Sequence, residues 1–172
     1  MLKIKKNLFR LKADVFRFFS FLIGNSDLGA RLRFHGLRIL GVSFKGTCKI
    51  FSGFEFLSVN KNLFIGKNCF ININCLMDLT DKIYIGDNVL IGPNVSFITS
   101  THKVLFVDRP RPVESLGTIV VEDNVFIGAN TTIFGGVIIG NNSVIGACSL
   151  VNKSIPPNSI AFGNPAKVTR TL

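Results

Sequence analysis

Between residues 121 and 155 an aliphatic side chain recurs every six positions, at Val121, Ile127, Ile133, Ile139, Ile145 and Val151. The small or β-branched residues Val125, Thr131, Val137, Ser143 and Ser149 hold the fifth place of successive hexads. A six-residue period matches neither the 3.6 of a helix nor the alternation of an ordinary strand, so the chain must form a coil with straight sides six residues long. That is a parallel β-helix. Equivalent residues one coil apart stack at roughly 4.8 Å, which fills the prism with columns of Ile and Val. Gly92, Gly128, Gly140 and Gly146, with Asn88, Asn94, Asn124, Asn130, Asn141 and Asn142, fall at the corners, where positive φ is expected. A β-sandwich would space its turns irregularly and nearer about ten residues apart, and the strict period argues against it.

The length of 172 residues suits one domain. Charge is segregated within it. Residues 1–49 carry eleven Lys/Arg against Asp14 and Asp27, a net of +9, and the chain as a whole nets +10, so residues 50–172 contribute +1. The basic character therefore belongs to an N-terminal module, which argues against a nucleic-acid groove along the solenoid. Cys69 and Cys75 occupy fifth positions of hexads and read as small core side chains in a reducing compartment. There is no Cys-x-x-Cys among Cys48, Cys69, Cys75 and Cys148, and His35 and His102 are the only histidines, so no metal is expected.

From residue 2 to 23, Ile4, Leu8, Leu11, Val15, Phe18, Phe19 and Leu22 recur at helical spacing, with Lys5, Lys6, Lys12 and Arg17 between them. This basic amphipathic helix has three readings. Arg17 interrupts the apolar run, which is shorter than the ~18 residues a span needs, and no small-residue cleavage site follows, which weighs against a signal peptide. Contact of residues 1–23 with an anionic membrane surface and packing against the solenoid remain open. Gly24 closes the helix, and Asn25-Ser26-Asp27 caps a second one running to about residue 40, stopped by Gly41. Leu28, Leu32, His35 and Ile39 mark its expected inner face, with His35 a packing residue. The two helices are expected to cover the first coil.

The expected organisation is a helical module at 1–45, a solenoid at 46–157 and a tail at 158–172. Hexads run from Val59 to Met77, shift by two residues before Ile85, and resume through Ile91 and Phe97. The Pro- and Arg-rich stretch 103–117 leaves the prism as a loop. Phe97 and Val121 are 24 residues apart, a multiple of six, so the loop does not disturb the register. His102 stands at the junction of rigid coil and loop. Histidine titrates near neutral pH and is well placed there as a general base, although surface histidines at loop starts are also common.

The segments INCLMDLTDKIYIGDNVLIGPNVSFITSTHKV and VEDNVFIGANTTIFGGVIIGNNSVIGACSLVNKSIPPNSIAFGNPAKV resemble the hexapeptide-repeat acetyltransferases of the galactoside, maltose and polysaccharide O-acetyltransferase group. The similarity covers roughly residues 60–170. The histidine after Thr-Ser-Thr, its spacing to the Val-Phe-Ile-Gly-Ala coil and the closing Ile-Pro-Pro-Asn-Ser with Gly-Asn-Pro-Ala-Lys carry it. The resemblance implies an all-β, left-handed parallel β-helix, against the usual right-handed crossover preference. It also implies a homotrimer with active sites between subunits.

By the same resemblance His102 is the catalytic base, and Asn72, Asp78 and Arg109 lie around the acceptor. Phe126, Ala129 and Ala147 line the path of the pantetheine arm of acetyl-CoA, and Asn152, Lys153, Lys167 and Arg170 surround its adenosine and phosphate end. Phe126 stands where the family usually has tryptophan, and Cys148 where it has glycine. The implied reaction is O-acetylation of a sugar hydroxyl by direct transfer from acetyl-CoA, in cell-surface polysaccharide or glycan synthesis. The expected location is cytoplasmic and peripheral on the inner face of the cytoplasmic membrane. Serine or amino-sugar N-acetylation on the same prism, and a non-catalytic solenoid, are the alternatives. The former relatives carry larger N-terminal or nucleotide-binding domains.

Overall fold

The computed structural model describes residues 11, 14–16, 18–20, 22–57, 61–103 and 112–172. The hexads fold into a left-handed parallel β-helix of about five coils with three flat faces. The first face stacks Ser43–Phe44, Leu63–Ile65, Ile83–Ile85, Ile119–Val121 and Ile138–Ile139. Lys49–Ile50, Phe70–Ile71, Leu90–Ile91, Phe126–Ile127, Val144–Ile145 and Ser159–Gly163 form the second. The third holds Glu55–Phe56, Leu76–Met77, Ser96–Ile98, Thr132–Phe134 and Leu150–Val151. Each strand pairs in parallel with its equivalent one coil away, for example Ile127 with Ile91 and Ile145.

Side-chain alternation sends one residue of each short side inward. Ile71, Ile91, Ile127 and Ile145 form one fully buried column, and Met77, Phe97, Ile133 and Val151 another. The fifth-position residues Cys69, Cys75, Val125, Thr131, Ser143 and Ser149 are buried as expected. Their polar atoms are satisfied at the corners: the Ser149 and Thr131 hydroxyls donate to the Gly146 carbonyl at 2.6 and 3.3 Å. All four cysteines are free thiols, three of them buried and Cys148 exposed.

The corners divide their work differently from the expectation. Positive φ falls on asparagine, at Asn68, Asn74, Asn88, Asn94, Asn124, Asn130, Asn142 and Asn158, and on Cys148, but not on Asn141. The asparagines form a ladder, with amide bonds from Asn88 to Asn124 at 3.0 Å and from Asn142 to Asn158 at 2.9 Å. The corner glycines serve close approach instead of positive φ. A Cβ on Gly128 would lie 2.5 Å from the Ala147 nitrogen, and one on Gly140 would lie 2.4 Å from the Pro157 nitrogen.

The helix Asp27–Ile39 begins at Ser26, whose side chain accepts from the Gly29 N–H at 3.0 Å. It covers the first coil, but through Ala30, Arg33, Phe34 and Leu37. The expected inner face of Leu28, Leu32, His35 and Ile39 points outward, and His35 is exposed. Two stripes on this helix have the right spacing. The one holding Arg33 packs because its guanidinium finds buried acceptors: the Ser20 hydroxyl at 2.7 Å, the carbonyls of Ser20 at 2.9 Å and Ile50 at 3.3 Å, and that of Gly24.

The boundaries also move. Ser43–Phe44, inside the expected helical module, is the first solenoid strand. Ser159–Gly163, expected in the tail, pairs with Val144–Ile145 and extends the prism past Pro156 and Pro157. It then turns back through Ala166–Thr171 as an antiparallel hairpin.

Candidate active site

Every departure from the hexad period occurs at one edge of the prism, where the third face turns into the first. From Phe56 to Ile65, Met77 to Ile85 and Phe97 to Val121 the chain takes 9, 8 and 24 residues, against 6 from Ile133 to Ile139. The last excursion rises as an antiparallel hairpin, Ser100–His102 with Val113–Ser115, in which His102 faces Val113. Its outer part, with Arg109, lies outside the described residues. His102 is exposed.

Two carboxylates root this hairpin. Asp78 is 1% exposed. It accepts from the Thr80 N–H at 3.1 Å, the Thr80 hydroxyl at 2.8 Å, the Thr99 N–H at 3.1 Å and the Ser100 hydroxyl at 2.5 Å. Burial alone would raise its pKa, but the bonds from Ser100, Thr80 and Thr99 outweigh burial and hold it below the ordinary value. Asp81 accepts from the Ser115 hydroxyl at 2.6 Å on the returning strand and from the Thr118 hydroxyl at 3.0 Å. The Ser115 hydroxyl and the Lys82 N–H draw its pKa down against burial, with Thr118 helping. Asp78, with its acceptor capacity filled inside the chain, thus fixes the strand that carries His102. The sequence reading missed Asp81, Thr99, Ser115 and Thr118, and the Asp/Thr/Ser cluster flanking the excursion was the available signal.

The remaining expected site residues fall on two edges and one face. Asn72 follows the second-face strand Phe70–Ile71 at the edge between the second and third faces, its side-chain Oδ1 accepting from the Ile73 N–H at 2.8 Å. Ala129 and Ala147 stack along that same edge, where the Cys148 N–H donates to the Ala129 carbonyl at 2.8 Å. Phe126 projects from the second face, 43% exposed. Lys167 and Arg170, opposite Phe162 and Ile160 in the terminal hairpin, border that face. Asn152 and Lys153 instead follow Leu150–Val151 on the His102 edge, two coils or about 10 Å along it. One chain therefore does not bring His102 together with Asn72, Ala129 and Ala147, which lie across the width of the third face. Among the described residues no cluster of three His, Cys, Asp or Glu lies together.

A cleft of about 710 Å³ opens elsewhere, between the helix and the first two coils, lined by Arg31, His35, Lys49 and Asn68 among others. Lys49 there pairs with Asp27 at 2.6 Å. It contains none of the residues expected to react.

Known proteins share this fold. Residues 118–153 match the bacterial transferase hexapeptide model of six repeats. A galactoside O-acetyltransferase of Lactococcus lactis is 45% identical over 78 residues, 45% of this chain. The chain spans 38% of the length of that protein and of a putative acetyltransferase of Staphylococcus aureus that it also matches. A hexapeptide-repeat acetyltransferase of Vibrio cholerae, solved with acetyl coenzyme A, superposes with a TM-score of 0.83 at 33% identity, covering 96% of this chain and 88% of that one. A maltose O-acetyltransferase of Clostridium difficile gives 0.78 at 32% identity over 96% and 88%. Identity at that level along most of both chains reaches beyond a shared prism, and it makes this chain a member of the hexapeptide-repeat acetyltransferase family.

Proposed function

We propose that the chain transfers an acetyl group from acetyl-CoA to a sugar hydroxyl, with His102 as the general base. The observation that carries the reading is the anchoring of the His102 hairpin: an exposed imidazole on a strand fixed to a buried carboxylate suits a base that must hold its direction in solvent. Solved relatives contain acetyl coenzyme A or coenzyme A, which supports the donor. The residues present fit it: half-buried Ala129 and exposed Ala147 put only methyl groups beside the backbone at their edge, Phe126 offers an apolar wall, and exposed Lys167 and Arg170 suit phosphates.

In the reaction, His102 takes the proton from the acceptor hydroxyl, and the freed oxygen attacks the thioester carbonyl. The Ala129 backbone N–H stabilises the oxyanion, and the thiolate of coenzyme A leaves with the acetyl group on oxygen. No acyl-enzyme is needed. Asn72 and Arg109 orient the acceptor, while Asp78 acts through the hairpin and not on the sugar. Because the base and the acetyl-donor edge lie on opposite margins of the third face, the site is completed between copies, in a homotrimer. The outward apolar side chains Tyr84, Leu90, Phe126 and Ile138 on the first two faces support such packing.

The test is release of coenzyme A thiol from acetyl-CoA against a panel of galactosides, maltose and other hexosides. Acceptor-dependent release that yields an O-acetyl ester supports the reading. Release only with amines, or none with coenzyme A failing to bind by calorimetry, overturns it in favour of N-acetylation or a silent solenoid.

A further inference from the structure

The helix Asp27–Ile39 buries one stripe against the first coil and leaves the opposite stripe bare. Ile39 is 81% exposed, Leu28 65% and Leu32 47%. These residues recur at 28, 32 and 39 on the side of the helix facing away from Ala30, Arg33, Phe34 and Leu37, so no part of the prism can cover them. The helical residues before it add further exposed apolar side chains. Phe16 turns inward, close against Gly36, while Phe18, Phe19 and Leu22 stay more than half exposed. An apolar groove of about 390 Å³ joins the two segments beside Ile39. Arg33 fixes their relation, because its guanidinium binds Ser20, Gly24 and Ile50 at once.

We infer that this face docks on the surface of an anionic lipid bilayer. Charge selects the occupant. The module holding the face, residues 1–49, carries a net +9 of the chain's +10. A second copy of the same face would bring like charge onto like, whereas acidic headgroups neutralise it while the leucine, isoleucine and phenylalanine side chains enter the interfacial layer. The contact is peripheral, since no helix among the described residues is long and apolar enough to cross a membrane. The face lies at the end of the prism capped by the helix, so docking leaves the His102 hairpin on the third coil free.

Co-sedimentation of the full chain with vesicles tests this. Vesicles of phosphatidylglycerol mixed with phosphatidylcholine should bind it at least about tenfold more tightly than phosphatidylcholine alone, and raising salt to roughly 0.5 M should weaken the binding. The double variant Leu32→Ser and Ile39→Ser removes apolar groups that touch solvent, so it should fold, and should lose about tenfold or more in binding. Equal supernatant fractions with and without anionic vesicles overturn the inference. Unchanged binding by the double variant overturns the assignment to this face. A smaller assembly for the double variant in sedimentation velocity overturns it in favour of an interface between copies. Acetyl-CoA turnover in detergent-free buffer should be the same for both proteins, which separates this result from the fate of the proposed function.

Discussion

The Ser100 hydroxyl donates to the Asp78 carboxylate at 2.5 Å across a separation of 22 residues, fastening the first residue of the His102 hairpin to the preceding coil. Asp78→Asn keeps the shape but turns one acceptor into a donor facing Thr99, Thr80 or Ser100. The expected cost is about 1–3 kcal/mol of stability. The same change should lower kcat by roughly tenfold through loss of orientation, with the KM for acetyl-CoA unchanged. Melting curves and steady-state kinetics check both, and a higher KM at constant kcat would place Asp78 in binding instead of positioning.

The same carboxylate gives a pH signature. Its folded pKa lies below the ordinary value, so the ionised form contributes stability in full above the unfolded value, and that contribution is lost as pH falls through the folded one. The gap in melting temperature between the native chain and Asp78→Asn should be widest near neutral pH and narrow below about pH 4. A gap that stays constant through that range contradicts the assignment.

Arg33 is 1% exposed and its donors reach only neutral oxygens. Burial pushes its pKa down, yet the bonded guanidinium is what joins the helix, the segment before it and the first coil. Arg33→Ala should cost on the order of 3 kcal/mol by leaving buried carbonyls unpaired. Hydrogen exchange should then rise in residues 22–40 before it rises in the coils, and uniform loss of protection would speak against a local role.

Most of the prism was legible because its period is a direct print of packing: Ile127, Ile133 and Ile139 sit in columns where the hexads put them. The helix face was not, because apolar count favoured Leu28, Leu32 and Ile39 while hydrogen bonding favoured Arg33, and sequence does not show which carbonyls will be near. Gly92, Gly128, Gly140 and Gly146 stand at corners because the coils approach closely there and not because φ is positive, and sequence does not separate the two since both select small residues. Among the site residues, His102 at the root of the excursion was visible, whereas the role of Asp78 depended on bonds to Thr99 and Ser100, 21 and 22 residues away.

Cys148 holds φ near 59° in the column that carries Asn94 and Asn130, whose amides bond at 3.0 Å. Its side chain lacks the local hydrogen bonding that lets asparagine adopt this conformation. Cys148→Asn should extend the ladder and stabilise the chain by about 0.5–1.5 kcal/mol. Calorimetry checks the sign, and a lower melting temperature would mean that the corner does not accept an amide. Turnover retained in this variant would also exclude a cysteinyl acyl-enzyme at this position.

The central claim rests on His102, and the most direct measurement is the rate of coenzyme A thiol release by His102→Ala with an acceptor the native chain uses. His102 is exposed, so the variant should melt with the native protein. Its kcat should fall by about 10²–10⁴-fold, with binding of coenzyme A by calorimetry unaltered. Near-native turnover by this folded variant would contradict the account and require a different base.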